Sequence, residues 1–294
     1  MIKINAYAKI NLFLDITGRR EDGYHLLYSV MQSVGLCDTV EISETTSGAV
    51  ELSCSDCRIP SGEKNIAHKA AREFISAFSP DFKGLKIYIE KRIPSEAGLA
   101  GGSADAAAVL VGLDRLYGAN IPESRLCELG ATIGADVPFC IVGGTMLCEG
   151  IGDRLTPVAP LPDCFLLLCK PPVGVSTKAA YEAADNCRAS IAPSDREGFM
   201  AALQSADIAR IAPRLRNVFE EALKLPEIEG IKECMLRCGA EGACMTGSGS
   251  CVFGIFSSED KAKECERVLS ETYSEVFLVG AVARGIAENC IGFL

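Results

Sequence analysis

The stretch IPSEAGLAGGSADAAAVL, residues 93–110, places three glycines and six alanines in eighteen positions. It follows LKIYIEKR, in which apolar and polar residues alternate as they do in a half-buried β-strand. The alanine-rich part continues to Gly118 and predicts a helix that begins near Ser103 and ends at that glycine. The three glycines therefore lie where a strand passes into the N-terminus of a helix.

This junction has the chemistry of an anion site. Gly98, Gly101 and Gly102 carry no Cβ, so their backbone can adopt a positive φ and another molecule can approach it closely. The first N–H groups of a helix have no partner inside the helix, and the helix dipole adds positive charge at the same end. A phosphate group can therefore bind to an acidic protein at such a point. A tight turn followed by a closely packed helix explains the same residues equally well.

The common nucleotide-binding motifs do not fit this loop. No lysine follows Gly102, as the P-loop of the NTPases requires, and the glycine spacing is not G-x-G-x-x-G. The sequence also lacks the H-R-D and D-F-G motifs of the protein kinases. An isolated glycine loop is a weak signal, so its interpretation depends on the rest of the sequence.

Composition limits the possible functions. The chain has 294 residues, of which 48% are hydrophobic, and can bury one large core or two ordinary ones. Its net charge of -10 argues against a surface that binds nucleic acid or anionic lipid. The sequence has no apolar run long enough to span a bilayer, and Lys3, Lys9 and Asp15 interrupt the N-terminal stretch, which would be apolar in a signal peptide. We expect a cytoplasmic protein without nucleic-acid or membrane partners.

The fifteen cysteines are predicted to be small core residues. Their number is odd, and many lie in apolar stretches, namely Cys127, Cys140, Cys148, Cys164 and Cys169. Cys54 and Cys57 form a C-x-x-C pair, but no second pair follows at zinc-site spacing, and the chain has only two histidines, His25 and His68. A metal or redox site is therefore not expected at this pair.

The order of elements predicts an α+β protein. Residues 2–16 and 26–43 show strand patterns on either side of a turn at Asp22-Gly23, so the chain is expected to open with an antiparallel sheet. A helix is predicted over 64–78, ahead of the strand that leads into the glycine loop. Further helices are predicted to end at Gly134 and to lie near 177–186, 195–210 and 213–223.

Two lobes are predicted from the proline-rich segment 152–163, which has the composition of a linker. The resulting domains are 1–154 and 155–294. The second domain contains another glycine-rich stretch, GACMTGSGSCVFGIF at 242–256, which leads into a strand.

Four stretches together resemble the GHMP kinases, the small-molecule kinases that include galactokinase, homoserine kinase and mevalonate kinase. Residues 93–110 are similar to their phosphate loop, P-x-x-x-G-L-[GA]-[GS]-[GS]-S, and MTGSGSCVFGIF at 245–256 is similar to their C-terminal glycine motif. The stretches AYAKINLFLDITGRREDGYHLLYSVMQSVGLCDTVEI at 6–42 and GADVPFCIVGGTMLCEGIGD at 134–153 resemble the branch of the superfamily that acts on an alcohol carrying cytidine diphosphate. The resemblance covers nearly the full length.

This resemblance implies a two-lobed α+β fold, with an N-terminal lobe like domain 2 of ribosomal protein S5 and a ferredoxin-like C-terminal lobe. It also implies transfer of the γ-phosphoryl group of ATP to the 2-hydroxyl of a methylerythritol that carries a CDP moiety, a step of non-mevalonate isoprenoid synthesis. Mg²⁺ is expected with ATP because it neutralises the triphosphate, and no residue is assigned as its ligand. A monomer or weak homodimer is expected.

By resemblance, the catalytic residues are Asp136 and Lys9. Asp136, in GADVPFC, is expected to accept the proton of the attacking hydroxyl, whereas an aspartate at such a junction is otherwise an ordinary helix cap. Lys9 lies in an apolar strand, where an ammonium is costly unless it meets an anion, and is expected to pair with Asp136 and the transferred phosphate. Without the resemblance, a lysine that extends from an edge strand to water is the simpler interpretation.

ATP is expected to bind on the first glycine loop. The predicted contacts are Pro94, Ser95, Glu96, Ala97, Gly98, Leu99, Ala100, Gly101, Gly102, Ser103 and Ala104. Ala104 stands where a second serine is common in the family, so only its backbone N–H is available and Ser103 becomes the expected hydroxyl contact. Asn65 is expected to hydrogen-bond the adenine, or otherwise to cap a helix.

The acceptor substrate is expected to contact both halves of the chain. The predicted contacts are Asn11, Tyr24, His25, Asp136, Tyr181, Thr246, Gly247 and Ser248. In DGYH, Tyr24 offers a ring on which cytosine can stack, and His25 offers a hydrogen bond to its edge. Tyr181 is either a second stacking partner or a core residue of a helix.

Two alternatives stay open at this point. The first keeps the fold but takes homoserine, mevalonate or a sugar as the acceptor, for which a cytosine-binding DGYH has no use. The second is a non-catalytic nucleotide sensor on the same fold, and the presence of both Lys9 and Asp136 argues against it.

Overall fold

The computed structural model describes residues 1–78, 82–188 and 191–288. The strands are β1 (Ile2–Arg19), β2 (His25–Glu44), β3 (Val50–Cys54), β4 (Leu85–Glu90), β5 (Thr145–Gly150), β6 (Arg154–Pro157), β7 (Phe165–Lys170), β8 (Arg216–Asn217), β9 (Gly242–Met245), β10 (Val252–Phe256), β11 (Glu275–Gly280) and β12 (Ile286–Glu288). The helices are α1 (Ile66–Phe78), α2 (Gly101–Tyr117), α3 (Glu123–Ile133), α4 (Val137–Val142), α5 (Thr177–Cys187), α6 (Arg196–Gln204), α7 (Ile208–Ile211), α8 (Val218–Leu223), α9 (Pro226–Arg237) and α10 (Glu259–Ser270).

One long hairpin organises the sheet of the first lobe. β1 and β2 pair antiparallel along nearly their whole length, which confirms the predicted opening, and the strand order is β12-β1-β2-β4-β3. β5 and β6 extend the sheet beside β2, and β8 pairs with β1. The β1–β2 register shifts at Tyr7/Ala8 and again at Asn11/Phe13, so β1 is irregular on both sides of Lys9.

The helix predicted after the glycine loop is α2, which packs on β1 and β2 with α1 beside it. Its alanines at 104, 106, 107 and 108 are fully buried, and their small size lets the helix lie close to the sheet. Gly118 ends the helix in the left-handed conformation, as predicted. The helix begins at Gly101 rather than near Ser103, so Gly101, Gly102 and Ser103 form its first turn.

Four antiparallel strands in the order β11-β7-β10-β9 form the second sheet. Helices α5 to α9 connect β7 to β9, and α10 connects β10 to β11. This is the strand order of a ferredoxin-like unit, in which the first and third strands are central. The expected two-lobed α+β fold is therefore confirmed.

The lobes share strands instead of dividing cleanly along the chain. Within the segment 152–163, predicted as a linker, Arg154–Pro157 form β6 and pair with β5 of the first sheet, so this part of the segment is not a linker. β8 and β12 come from the second half of the sequence and both pair with β1. The predicted domain division after residue 154 stays a prediction.

The predicted helices of the second half are mostly present. The patterns near 177–186 and 195–210 correspond to α5 and to α6 with α7. The pattern over 213–223 is interrupted by β8, so only its second part, α8, is an α-helix. Among the described helices, none has the length and apolar character that a membrane crossing requires.

The cysteines in the described ranges are all free thiols. Cys140, Cys148 and Cys169 are buried as predicted, whereas Cys127 and Cys164 are half-buried. Burial raises the pKa of Cys169 to about 12, which keeps that thiol protonated at neutral pH. Within residues 1–78, 82–188 and 191–288, no cluster of three or more His, Cys, Asp or Glu side chains is arranged to hold a metal ion.

Candidate active site

Two glycine-rich loops dock side by side on one edge of β1. They are the first glycine loop, residues 94–103, and the second glycine loop, residues 246–250. The Lys9 N–H donates to the Leu99 carbonyl at 3.1 Å, and the Asn11 N–H donates to the Thr246 hydroxyl at 3.0 Å. On the same strand, β12 pairs with residues 4–6 and β8 pairs with residues 13–14. A single strand therefore fixes the positions of both loops.

Gly98 makes the contact between the two loops possible. Its φ is 73°, and a Cβ built on it would lie 2.1 Å from the Thr246 carbonyl oxygen. A Cβ on Gly247 would in turn lie 2.8 Å from the Gly98 Cα. The sequence suggested that Gly98 opens the backbone to a ligand. In the structure, the missing Cβ lets the second glycine loop pack directly against the backbone of Gly98.

The first turn of α2 has open N–H groups, which are the feature that the sequence predicted for an anion site. Within the described residues, the N–H groups of Gly101, Gly102 and Ser103 donate to no protein acceptor, and the residue at the N-cap, Ala100, has no side chain that could cap them. The helix dipole adds to their positive potential. Ala104 differs, because it is buried and its N–H donates to the Ala100 carbonyl at 2.9 Å. The N–H group expected to contact ATP thus already has an acceptor in this structure, and the contact of Ala104 with ATP stays a prediction.

Lys9 and Asp136 lie together at the floor of the site. Lys9 is 4% exposed, and its Nζ is 3.9 Å from Asp136 Oδ2 and donates to Asn11 Oδ1 at 2.8 Å. Asp136 precedes α4 at the N-cap, yet its side chain accepts no capping hydrogen bond. Both simpler interpretations therefore fail, since Asp136 does not cap the helix and Lys9 does not extend to water.

Asn11 connects this pair to the second glycine loop. Its Oδ1 also accepts hydrogen bonds from the Gly247 N–H at 2.9 Å and the Thr246 hydroxyl at 3.2 Å, and its Nδ2 donates to the Ser29 hydroxyl at 2.8 Å. Thr246 is fully buried. In this structure both side chains hold their neighbours in place, and their direct contact with a substrate stays a prediction.

A cleft of about 750 Å³ joins the first glycine loop to Asp136, a size that suits a nucleotide and a small acceptor. The predicted residues that line it are Lys9, Asn11, Asn65, residues 94–103, Asp136, Tyr181, Gly247 and Ser248. Ala104, Tyr24, His25 and Thr246 lie outside its lining. The cleft therefore brings together most of the predicted site.

Asn65 serves as a helix cap at the border of this cleft. Its Oδ1 accepts a hydrogen bond from the Ala67 N–H at 2.9 Å, and its Nδ2 donates to the Pro60 carbonyl at 3.0 Å. Ile59, Pro60 and Ile66 line the cleft around it and give this end an apolar wall. A hydrogen bond from Asn65 to adenine stays a prediction.

The aromatic residues predicted for cytosine are arranged differently from the expectation. Tyr24 is 61% exposed, whereas Tyr181 stacks on the His25 ring with centroids 4.6 Å apart. Two rings at this distance leave no space for a base between them. Burial, with the Asp136 carboxylate nearby, raises the pKa of Tyr181 to about 12. Tyr181 therefore supports His25 in this structure, and its stacking on cytosine stays a prediction.

Sequence analysis missed a buried ion triad beside the first turn of α2. The Lys91 ammonium donates to Asp38 and, at 2.7 Å, to Asp105, while Asp38 also accepts from the N–H groups of Arg92 and Ile93. Burial raises the pKa of Asp105 well above its usual range. Burial alone would lower the pKa of Lys91, but the two carboxylates outweigh it and raise that pKa. The signal that could have revealed the triad is the charge of Asp105 within the alanine-rich first half of α2.

Lys91→Met is expected to lower the free energy of unfolding by about 3–5 kcal/mol, because it leaves two carboxylates buried without a positive partner. Urea denaturation measures this change. Lys178→Met is the matched control, since Lys178 forms an exposed pair with Glu182 at 3.8 Å and its loss is expected to cost less than about 1 kcal/mol. Equal effects in the two variants would contradict a structural role of the triad.

Both halves of the chain match known domain families. Residues 65–144 match the GHMP kinases N terminal domain, and residues 188–275 match the GHMP kinases C terminal domain. The chain therefore belongs to the class of the GHMP kinases.

Full-length relatives define the branch within this class. The chain is 43% identical over 284 residues to the 4-diphosphocytidyl-2-C-methyl-D-erythritol kinase of Clostridium botulinum (strain Eklund 17B / Type B), covering 96% of this chain and 100% of that one. It is 44% identical over 289 residues to the enzyme of the same name from Caldicellulosiruptor saccharolyticus, covering 97% of each chain. The chain belongs to the 4-diphosphocytidyl-2-C-methyl-D-erythritol kinase family.

Solved structures agree with this assignment. A crystal structure of 4-(cytidine 5'-diphospho)-2C-methyl-D-erythritol kinase has a TM-score of 0.81 at 32% identity and covers 95% of this chain and 99% of that chain. Homoserine kinase from Cytophaga hutchinsonii has a TM-score of 0.74 at 20% identity, with 98% of this chain and 96% of that chain covered. The second similarity shows the shared fold alone.

Proposed function

We propose that the chain transfers the γ-phosphoryl group of ATP to the 2-hydroxyl of 4-diphosphocytidyl-2-C-methyl-D-erythritol, in the methylerythritol phosphate route to isoprenoid precursors. The observation that carries this proposal is the Lys9–Asp136 pair, with 3.9 Å between its charged atoms, in the same cleft as the open N-terminus of α2. The printed names of its full-length relatives supply the acceptor.

The first turn of α2 binds the phosphates in this proposal. The N–H groups of Gly101, Gly102 and Ser103 point away from the helix they begin and lack acceptors within the described residues, so they can donate to phosphate oxygens. These donors are fixed before the ligand arrives, which reduces the reorganisation that the charged transition state requires. The protein thereby binds an anion despite its net charge of -10.

Lys9 and Asp136 carry the chemical step. Asp136 takes the proton of the 2-hydroxyl while the hydroxyl oxygen forms a bond to the γ-phosphorus. The bond between the γ-phosphorus and the oxygen that bridges the β- and γ-phosphates breaks, and ADP is released. The Lys9 ammonium, held by Asn11 Oδ1 at 2.8 Å, stabilises the negative charge on the transferred group. Because Lys9 is buried, its attraction to a phosphate oxygen is screened less than it would be in water.

The cleft also fits Mg²⁺ carried by ATP. The Glu96 carboxylate and the Ser103 hydroxyl line it, and neither makes a hydrogen bond to another described residue, so both oxygens are available to a hard cation together with phosphate oxygens. When bound, Mg²⁺ neutralises part of the triphosphate charge.

We propose that a monomer or weak homodimer is the active form. We propose the cytoplasm as its location. Cytoplasmic ATP and the free thiols in the described ranges are consistent with that location.

The proposed function is tested by ATP turnover with a panel of alcohols. ADP release and ³¹P NMR of the product are measured with 4-diphosphocytidyl-2-C-methyl-D-erythritol, homoserine, mevalonate and galactose. We expect turnover with the first alone, and inhibition by CMP but not by mevalonate. Turnover with another alcohol would assign a different acceptor. Tight ATP binding without any product would instead support the nucleotide sensor.

A further inference from the structure

The imidazole of His25 is held on two sides by helix α5. His25 Nε2 is 2.8 Å from Asp185 Oδ1, and one ring face stacks on Tyr181 with an interplanar angle of 20°. Tyr181 and Asp185 are four residues apart, so they project from the same side of the helix. The helix thus fixes both the plane of the imidazole and its rotation within that plane.

These two contacts are themselves supported. The second oxygen of Asp185 lies 3.5 Å from Arg19 Nη1, and Arg19 is the β1 partner of His25 in the hairpin register. Tyr181 packs edge-to-face against Phe219 of α8, with centroids 4.8 Å apart. His25 has 9% of its side chain exposed, so little of it can move independently of these partners.

The carboxylate determines where the imidazole proton lies. An ionised Asp185 only accepts hydrogen bonds, so a neutral His25 must carry its proton on Nε2. Its Nδ1 is then an acceptor, and among the described residues no group donates to it. Asp185 thereby leaves one nitrogen of His25 free to accept a hydrogen bond from a ligand.

Cytosine and uracil differ in the group that such an acceptor would meet. Cytosine carries an amino group at C4 and donates there, whereas uracil carries a carbonyl oxygen at C4 and accepts. An unprotonated Nδ1 accepts a hydrogen bond from the C4 amino group of cytosine. With uracil, the same nitrogen would face a lone pair of the C4 oxygen. Unpaired polar groups of this kind are the basis of strong discrimination between ligands of similar shape.

We propose that Asp185 is a positioning residue that holds His25 with Nδ1 unprotonated and thereby selects cytosine over uracil in the acceptor substrate. This inference rests on the proposed function for the presence of a pyrimidine. Asp185 acts through His25, while the exposed Tyr24 on the adjoining turn remains available for the face of the base.

Asp185→Asn tests this role, because an amide can donate to Nε2 and so permit the other tautomer. In the wild type, we expect CMP to compete with the acceptor substrate far better than UMP. In the variant, the inhibition constant of UMP divided by that of CMP is expected to fall by about tenfold or more. The KM for the acceptor should rise while kcat stays within about threefold, since the reacting groups are untouched.

Glu182→Gln is the matched control, because it removes the same charge from the same helix and Glu182 pairs only with the exposed Lys178 among the described residues. This variant should leave the ratio of the UMP and CMP inhibition constants unchanged. In a His25→Ala background, Asp185→Asn should have no further effect on that ratio, since its effect passes through the missing ring. A lower ratio in the control, or additive effects in the double variant, would overturn the proposal.

The tautomer itself can be observed in the free protein. The chain has only two histidines, so imidazole ¹H–¹⁵N spectra at about pH 8 can be assigned with His68→Gln. We expect the wild type to show protonated Nε2 and bare Nδ1, and Asp185→Asn to show more protonated Nδ1. A wild-type Nδ1 that carries the proton overturns the inference. This measurement uses no substrate, so it remains decisive even if turnover of the proposed acceptor fails.

Discussion

Asp136→Asn is expected to lower kcat by about a thousandfold, because it removes the group that we propose as acceptor of the hydroxyl proton. Its free energy of unfolding should fall by only about 1–2 kcal/mol, because no capping hydrogen bond is lost but the buried Lys9 ammonium loses its charged partner, 3.9 Å away and partly exposed. Steady-state kinetics with saturating ATP and acceptor measure the first effect, and urea denaturation measures the second. Calorimetry should show ATP affinity close to that of the wild type.

Asp195→Asn provides the control for this variant. Asp195 is also at a helix N-cap, but its side chain accepts a hydrogen bond from the Gly198 N–H at 2.9 Å and it does not line the catalytic cleft. The same substitution there should leave kcat unchanged. If Asp136→Asn kept more than about a tenth of the wild-type kcat, Asp136 would not be the base.

Gly98→Ala is expected to have the second large effect, on stability and ATP use together. The added Cβ would lie 2.1 Å from the Thr246 carbonyl oxygen, so one glycine loop must move away from the other. With the left-handed backbone at this position, the cost should reach about 3 kcal/mol or more. Because the first glycine loop leads into the N–H donors of α2, kcat/KM for ATP is expected to fall by about tenfold or more.

Gly118→Ala is the control that separates the cost of the left-handed backbone from the cost of the clash with the Thr246 carbonyl oxygen. Gly118 also has a positive φ, of 59°, but a Cβ built on it meets no atom within 4 Å. Its substitution should cost only about 1 kcal/mol and leave ATP kinetics unchanged. Thermal or urea unfolding compares the two variants, and a similar loss in both would show that the contact between the loops is unimportant.

Local features of this protein could be predicted because they have local causes. The alternation in residues 2–16 and 26–43 produced strands, and Gly118 ended α2 where a left-handed cap was expected. The open helix N-terminus was predicted from the glycines and the alanine-rich run. The start of α2 was placed two residues late, because Gly101 and Gly102 adopt helical conformations that glycine disfavours only weakly.

Contacts between distant parts of the chain could not be predicted from the residues alone. The Asn11 amide accepts from Gly247, 236 positions away, and no periodicity encodes such a pair. The proximity of Lys9 and Asp136 was expected only through the family resemblance. The partners of Gly98, Lys91 and His25 were missed for the same reason, since each depends on how the elements pack.

The edge of β1 is covered by elements from both halves of the chain. A fragment that ended at residue 154 would lose β8, β12 and the second glycine loop, which together cover much of that edge. The exposed N–H and C=O groups of an uncovered strand can pair with another chain. The C-terminal half therefore covers a strand edge of the N-terminal half that could otherwise pair with another chain, in addition to completing the cleft.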